Sequence, residues 1–346
     1  MIGEDQLIKR IARAIPSEIG RRRIVARHGG VRLGIGDDAA VLAPAPGSDW
    51  VLSCDAFLEG VHFPAKADPP DSVGFKSLVR AVSDLAAMGA TPRFFMLTLA
   101  LPADRTGAWL DAFLRGMGRA ARQLKMRLIG GDTSRFPFVS ISITVLGEIT
   151  SGRAVTRAGA RPGDILYVTG RLGQAQLGLE LVKNWSFSEL KGRLTRQNWL
   201  FRQHLYPQIR VQLGAWLAQH RIASAMMDIS DGLSTDLSRL CVASGVGARL
   251  WAERIPRIEI PAQFRKLRLD SLQMALDGGD DYELLFTVPR GRAKLLRKAP
   301  QFSDITAIGE IERGTRILLV GADGRQKPLK PGGWDSFREK SSRNAG

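Results

Sequence analysis

Nine aspartates of this chain sit inside apolar or glycine-rich segments. They are Asp37 and Asp38 in GIGDDAAVL, Asp55 in VLSCDAF, Asp84 in AVSDLAAMGA, Asp132 in RLIGGDTS, Asp228 and Asp231 in AMMDISDGL, and Asp280 and Asp281 in ALDGGDDYELLF. A carboxylate near a core is costly unless something compensates it. The fold must therefore bring cations to these positions. Arginines could do so one at a time. A divalent cation could do so for several carboxylates at once, and hard oxygen ligands suit magnesium.

Glycines strengthen this reading. Gly34 and Gly36 lead into Asp37, Gly130 and Gly131 into Asp132, and Gly278 and Gly279 into Asp280. Glycine lets the backbone turn sharply and approach a ligand closely, phosphate included. A strand ending in Gly-Gly-Asp can aim N–H groups and a carboxylate at one place, as a metal–nucleotide site requires. Each motif also has a plainer reading. Gly-Asp is common turn chemistry. DISDGL reads as a helix start capped by Asp228 or Ser230, with Asp231 in the first turn. SDLAAMGA reads as a capped helix with a glycine stop. Five such motifs in one chain favour a shared site. The phosphate loop GxxxxGK[ST] and the protein-kinase HRD/DFG set are missing, so a phosphotransferase here needs another architecture.

The chain has 346 residues, which suggests two domains. Short apolar strands at 50–53, 93–101, 127–129 and 139–149 alternate with helical pattern at 72–88 and 108–124. Leu7, Ile8, Ile11 and Ile15 recur at helical spacing and predict an amphipathic helix packed on the body. Residues 151–164 are rich in Gly, Arg and Pro and read as a linker or long turn. A second unit opens with a strand at 165–169 and a helix at 174–182. It continues with helical pattern at 210–219 and 232–243 and strands at 283–288 and 317–320. The expected units are 1–150, 151–337 and a basic tail, 338–346.

Two cysteines, Cys54 and Cys241, stand far apart and in no zinc-ligand spacing, which fits a reducing cytoplasm. No apolar run approaches the roughly 20 residues that span a bilayer, and the acidic N-terminus is not a secretory signal. The net charge of +16 raises the prospect of an anionic partner. Much of the excess is clustered, with Arg21, Arg22, Arg23, Arg27 and Arg32 near one end and Lys327, Lys330, Arg338, Lys340 and Arg343 near the other. With no aromatic-interleaved basic motif and no helix-turn-helix signature, a solvated surface is the plainer reading than a nucleic-acid site.

In order, GIGDDAAVL, SCDAFLEGVHF, FKSLVRAVSDLAAMGA, RLIGGDTS, AVTRAGARPGD, DISDGLSTDL, GGDDYELLF and GGWDSF resemble the thiamine-monophosphate kinases. That family belongs to the superfamily of aminoimidazole ribonucleotide synthetase, selenophosphate synthetase and a hydrogenase-maturation protein. The resemblance implies an α/β fold of two domains. An N-terminal mixed sheet would pair across a homodimer, a C-terminal α/β sandwich would follow, and ATP would bind between them. It implies ATP-dependent phosphorylation of thiamine monophosphate to thiamine diphosphate. It implies several magnesium ions at Asp38, Asp55, Asp84, Asp132, Asp228 and Asp231, with Ser53 and Cys54 nearby. Gly131, Asp132, Arg157 and Ser230 would contact the nucleotide, and His62, Asp280 and Trp334 the thiamine phosphate.

Cys54 stands where the family usually has Thr; a thiol is a poor magnesium ligand, so only its backbone carbonyl would serve. Asp280 replaces a frequent Glu, and Ala81 a common Asn. Without the family match, His62 reads as a structural histidine, Trp334 as packing, Asp280 as a turn carboxylate and Arg157 as a surface arginine. Selenophosphate synthetase would need a Cys or selenocysteine in the first 50 residues, and the maturation protein a C-terminal Cys; this chain has neither. Aminoimidazole ribonucleotide synthetase remains the enzymatic rival. A basic nucleic-acid-binding protein on a degenerate kinase fold is the other alternative, and the intact acidic motifs argue against it.

Overall fold

A computed structural model describes residues 4–18, 30–35, 39–64, 68–185, 198–299 and 301–337. Asp38 and the tail 338–346, both singled out above, lie outside the described residues. Helix α1 (Glu4–Ala14) buries Leu7 and Ile11 as its spacing predicts, with Ile15 buried just beyond its end, but Ile8 of the expected stripe is exposed. A small antiparallel pair follows, β1 (Gly30–Leu33) and β2 (Val41–Ala43).

The first main sheet contains β3 (Ser48–Leu58), β4 (Thr91–Leu101), β5 (Arg127–Arg135) and β6 (Ser140–Thr150), in the order β3-β6-β4-β5. It is mixed: β4 and β5 run parallel, and the other pairs run antiparallel. Phe57, Phe95, Leu97, Leu99, Ile141, Ile143 and Val145 point inward from alternate positions. They meet α2 (Pro70–Met88) and α3 (Ala108–Gln123). Helix α2 starts at Pro69-Pro70, where a fixed φ favours a first turn, and stops at Gly89 in the left-handed conformation. The two helices pack backbone to backbone. A Cβ on Gly74 would lie 2.0 Å from the Phe113 carbonyl oxygen, and one on Gly116 would lie 1.8 Å from that of Asp71.

The GGDTS segment is not a turn. It stays in β5, parallel to β4, with a register shift at Phe95/Met96 opposite it. Gly131 allows this: its φ is +152°, and a Cβ there would lie 1.9 Å from the Leu97 carbonyl oxygen. The predicted strand at 127–129 was short because glycines conceal the alternation.

The second unit is one seven-stranded sheet, β13-β12-β9-β11-β7-β10-β8. Its elements in chain order are β7 (Ile165–Thr169), α4 (Gln174–Asn184), α5 (Trp199–Leu205), α6 (Val211–Gln219), β8 (Ala225–Ile229) and α7 (Leu233–Ser244). Then come β9 (Gly247–Trp251), α8 (Ser271–Asp277), β10 (Glu283–Val288), β11 (Ile305–Glu312), β12 (Ile317–Val320) and β13 (Gln326–Pro328). Both faces are buried at the β7-β10-β8 end. Leu166, Val168, Met227, Ile229 and Leu285 pack with Leu233, Leu237 and Leu240 of α7. Tyr167, Met226, Leu284 and Phe286 face the other way, into the core that α4, α5 and α6 share with α2. Helix α2 is thus the common wall of both units.

The stretch 151–164 holds no helix or strand, as read from sequence, but it is tied down as a strap. The Val155 N–H donates to the Met88 carbonyl, the Met226 N–H to that of Thr156, and the Ser244 hydroxyl to that of Arg157.

Candidate active site

Helix α2 crosses the junction of the two units and carries much of the site on one face. Lys76, Arg80 and Asp84 are four residues apart, so they stack along one stripe. At one end Asp84 accepts a hydrogen bond from Ser53 of β3. Beside it, Ser83 donates to Asp228 at the buried end of β8, 2.7 Å away. The two carboxylates feel each other. Burial, then repulsion from Asp84, pushes Asp228 up to about 7. Asp84 is raised too, by burial first and then by Asp55, against the Ser53 hydrogen bond and the charges of Arg157 and Arg80. The strap therefore places Arg157, although exposed, within electrostatic reach of Asp84.

Among the described residues, no three His, Cys, Asp or Glu side chains converge closely enough to hold a metal. The donor chemistry nevertheless fits magnesium, which is usually bound by one or two carboxylates together with substrate phosphates and water. Half-buried Asp84 and buried Asp228 are a like-charged, oxygen-only pair whose repulsion a cation would relieve. Asp55 lies on the same strand face as Ser53 and pairs with Arg80 at 3.5 Å. The Cys54 thiol points to the opposite face, 3.5 Å from the Ser142 hydroxyl and 3.4 Å from that of Thr144. Asp132 is exposed on edge strand β5.

The DISDGL segment is capped differently from its sequence reading. Asp228 lies within β8, and neither it nor Ser230 caps α7. Asp236 reaches back instead, accepting from the Ser230 and Asp231 N–H groups at 3.1 and 3.0 Å. The Asp231 side chain pairs with Arg239 at 2.5 Å. Its carbonyl accepts from the Trp334 N–H at 2.9 Å. Gly332 and Gly333 donate to the hydroxyls of Ser234 and Thr235, both at 3.0 Å. A Cβ on Gly333 would lie 1.8 Å from the Asp231 carbonyl oxygen, so the GGW segment can seat this closely because it lacks side chains. That docking sets the Trp334 ring 6.5 Å from the His62 ring.

At the other end of the stripe, Lys76 pairs with Asp280 at 2.7 Å. Asp280 also accepts from the Tyr282 hydroxyl at 2.6 Å. The GGDDY turn is held in an uncommon shape: Asp280 and Tyr282 have φ of +67° and +50°, pinned by N–H donation to the Ser230 and Ile229 carbonyls. Burial would raise the Asp280 pKa, but the charges of Lys76 and Arg80 overcome it and hold the carboxyl well below the usual range. Asp281, buried, accepts from the Gly173 and Ala175 N–H groups and so ties this turn to the start of α4.

His62 completes the cluster. Its Nδ1 accepts from the Leu58 N–H at 3.0 Å, so a neutral ring carries its proton on Nε2. Burial, then Arg80, lowers its pKa to about 4, with Asp280 opposing. The folded value lies below the usual 6.5, so this contribution to stability is present above pH 6.5 and is lost as pH falls through about 4. An NMR titration should find His62 neutral across pH 5–8, with Nε2 protonated. A midpoint near the usual 6.5 would contradict the burial described here.

Of the residues expected from sequence, the fold brings together Ser53, Asp55, Asp84 and Asp228 at one end of the α2 stripe, and His62, Asp280 and Trp334 at the other. Lys76 and Arg80 were missed. Their signal was present in the i, i+4 spacing with Asp84, but charged residues on a helix read as a solvated face.

The family model for "AIR synthase related protein, N-terminal domain" matches residues 36–149, and that for the C-terminal domain of the same family matches residues 161–321. The thiamine-monophosphate kinase of Salmonella typhimurium is 38% identical over 89% of this chain and 92% of that protein. The crystal structure of thiamine-monophosphate kinase from Stenotrophomonas maltophilia K279a superposes with a TM-score of 0.75 at 35% identity, over 92% of this chain and 96% of that one. A structure of "AaThiL complexed with AMPPCP and TMP" superposes with a TM-score of 0.72 at 34% identity, over 87% of this chain and 91% of that one. Both sequence and fold agree along nearly the whole length, and the chain belongs to the thiamine-monophosphate kinase family.

Proposed function

We propose that this protein transfers the γ-phosphoryl group of ATP to the phosphate of thiamine monophosphate, forming thiamine diphosphate. The observation that carries the reading is the α2 stripe. It joins an acidic pair, half-buried Asp84 and buried Asp228, to an aromatic and polar cluster, His62, Trp334 and Asp280, in a chain of this family. Transfer of this kind is mainly positioning and charge neutralisation. A phosphate monoester has a second pKa of about 6, so the acceptor oxygen is mostly anionic at neutral pH and needs no general base.

Asp84, Asp228 and Asp55 would hold magnesium, with Ser53, Asp132, Asp231 and Asp38 completing the set and Cys54 offering only its carbonyl. Bound magnesium supplies charge neutralisation between the phosphates. Arg157, with Gly131, Asp132 and Ser230, binds the nucleotide. Trp334 stacks on the cationic thiazolium, which an aromatic face attracts. Neutral His62 adds an Nε2–H donor without opposing that cation. The unit 1–150 carries most of the metal ligands, and 151–337 adds Asp228, Asp231, Arg157 and Ser230 and completes the substrate site.

The β3-β6-β4-β5 sheet leaves part of its outer face open, with Leu52 61% and Met96 37% exposed. That face supports a homodimer. Among the described residues no helix is long and apolar enough to cross a membrane. The two free cysteines support a cytoplasmic setting.

Purified protein with ATP, magnesium and thiamine monophosphate is expected to yield thiamine diphosphate and ADP, and to stop when EDTA is added. No product from folded protein, or product that ignores EDTA, would sink the reading.

A further inference from the structure

The stripe on α2 has a middle member, Arg80, that neither end of the site accounts for. Lys76 is fully engaged: its side chain is 2% exposed and bonded to Asp280 at 2.7 Å. Arg80 is not. Its ion pair among the described residues runs from a buried Nε to Asp55 and is long at 3.5 Å, short of a full hydrogen bond. A buried guanidinium N–H held only by so long a contact is costly. Burial works against its charge, but Tyr282, Asp55 and Asp280 keep it protonated. The side chain is 16% exposed, so one edge opens to the site.

Its position is specific. The guanidinium lies over the Phe57 ring at 5.2 Å, Phe57 neighbours His62 at 5.9 Å, and His62 neighbours Trp334 at 6.5 Å. Along the helix Arg80 stands one step, about 6 Å, from Asp84 on one side and from Lys76 on the other. It acts electrostatically on both His62 and Asp84. The acceptor phosphate must lie between the thiamine-binding cluster and the γ-phosphoryl group. A dianion there would otherwise face Asp55, Asp84 and Asp280. A planar fork of donors suits a phosphate better than a point charge does.

We infer that Arg80 anchors the acceptor phosphate of the substrate and is the residue by which this site prefers a thiamine phosphate ester to thiamine itself. The inference rests on the function proposed above. A purely structural role, neutralising Asp55, would instead affect both ligands alike.

The test is calorimetric titration of thiamine monophosphate and of thiamine, with magnesium present, into wild type, Arg80→Met and Arg80→Lys. Arg80→Met is expected to weaken thiamine monophosphate by about 10- to 100-fold, the range for hydrogen bonds to a charged group, and to leave thiamine unchanged. Arg80→Lys is expected to lose less, and only for the phosphate ester. Equal losses for both ligands, or no loss for the ester, would overturn the inference. If thermal unfolding shows that Arg80→Met does not fold, Arg80→Lys decides by the same comparison. Wild type that binds the ester normally while Arg80→Met matches it removes the anchor but keeps the proposed function; wild type that binds neither ligand removes both.

Discussion

Asp84→Asn is expected to lower kcat by about a thousandfold, the scale of losing a transition-state electrostatic contact, while making the ligand-free protein more stable. The two effects have one cause. Asp84 and Asp228 are carboxylates in a site that burial has desolvated; Asp84 raises the pKa of Asp228, and Asp55 raises that of Asp84. Without a cation this is a like-charge pair held in place by the fold. Asn keeps an oxygen to accept the Ser53 hydrogen bond but removes one charge. Replacing a poorly compensated buried charge is neutral or stabilising, here by about 1–2 kcal/mol. Magnesium should raise the melting temperature of wild type, since a ligand that binds the folded state stabilises it, and should raise that of the variant less. Thermal unfolding with magnesium and with EDTA, alongside turnover, checks all three statements. An inactive variant with a lowered melting temperature and an intact magnesium response would make Asp84 a structural residue.

Lys76→Met is expected to destabilise the protein by about 3 kcal/mol, the lower end for breaking a buried pair. The lower end applies because Lys76 is 2% exposed but Asp280 is 32% exposed, so water screens part of the charge left behind. Activity should fall as well, because Asp280 sits in a left-handed turn aimed by this contact. The double variant Lys76→Met/Asp280→Asn should recover much of the stability and none of the activity. The pH dependence has a definite sign. Asp280 is depressed in the folded state, so the pair contributes fully above the unfolded carboxyl value of about 3.9 and is lost as pH falls toward the folded one. Denaturant unfolding of wild type and Lys76→Met at neutral and acid pH should therefore converge at low pH. Curves that stay equally far apart at every pH would assign the cost to lost packing of the lysine stem.

The parts of the fold legible in sequence are those with a local rule. Helices α1, α2, α3 and α7 show an apolar stripe at a 3.6-residue period, and β3, β4 and β6 alternate because one face is buried more than the other. Strands β8, β9 and β11 escaped notice. AMMDI is buried at every position, so burial leaves no alternation to read, whereas GARLW and ITAIGEIE alternate over only a few residues beside a glycine. The capping of α7 was misread for a related reason. Asp228, Ser230 and Asp236 are all good cap residues, and which of them turns toward the helix start depends on where β8 ends.

The acidic motifs, their glycines and their family resemblance were determined by the sequence alone, because residue type and spacing along the chain are enough to state them. Which carboxylates meet was decided only in three dimensions. Ser83 and Asp228 are 145 residues apart, and Lys76 and Asp280 are 204 apart. In FKSLVRAV the Lys76 and Arg80 charges look like a wet helix face, yet Lys76 is buried and Arg80 half-buried because the second unit closes over that side of α2. Pairing across such separations depends on docking the two units against one helix, a long-range packing event that no local periodicity encodes.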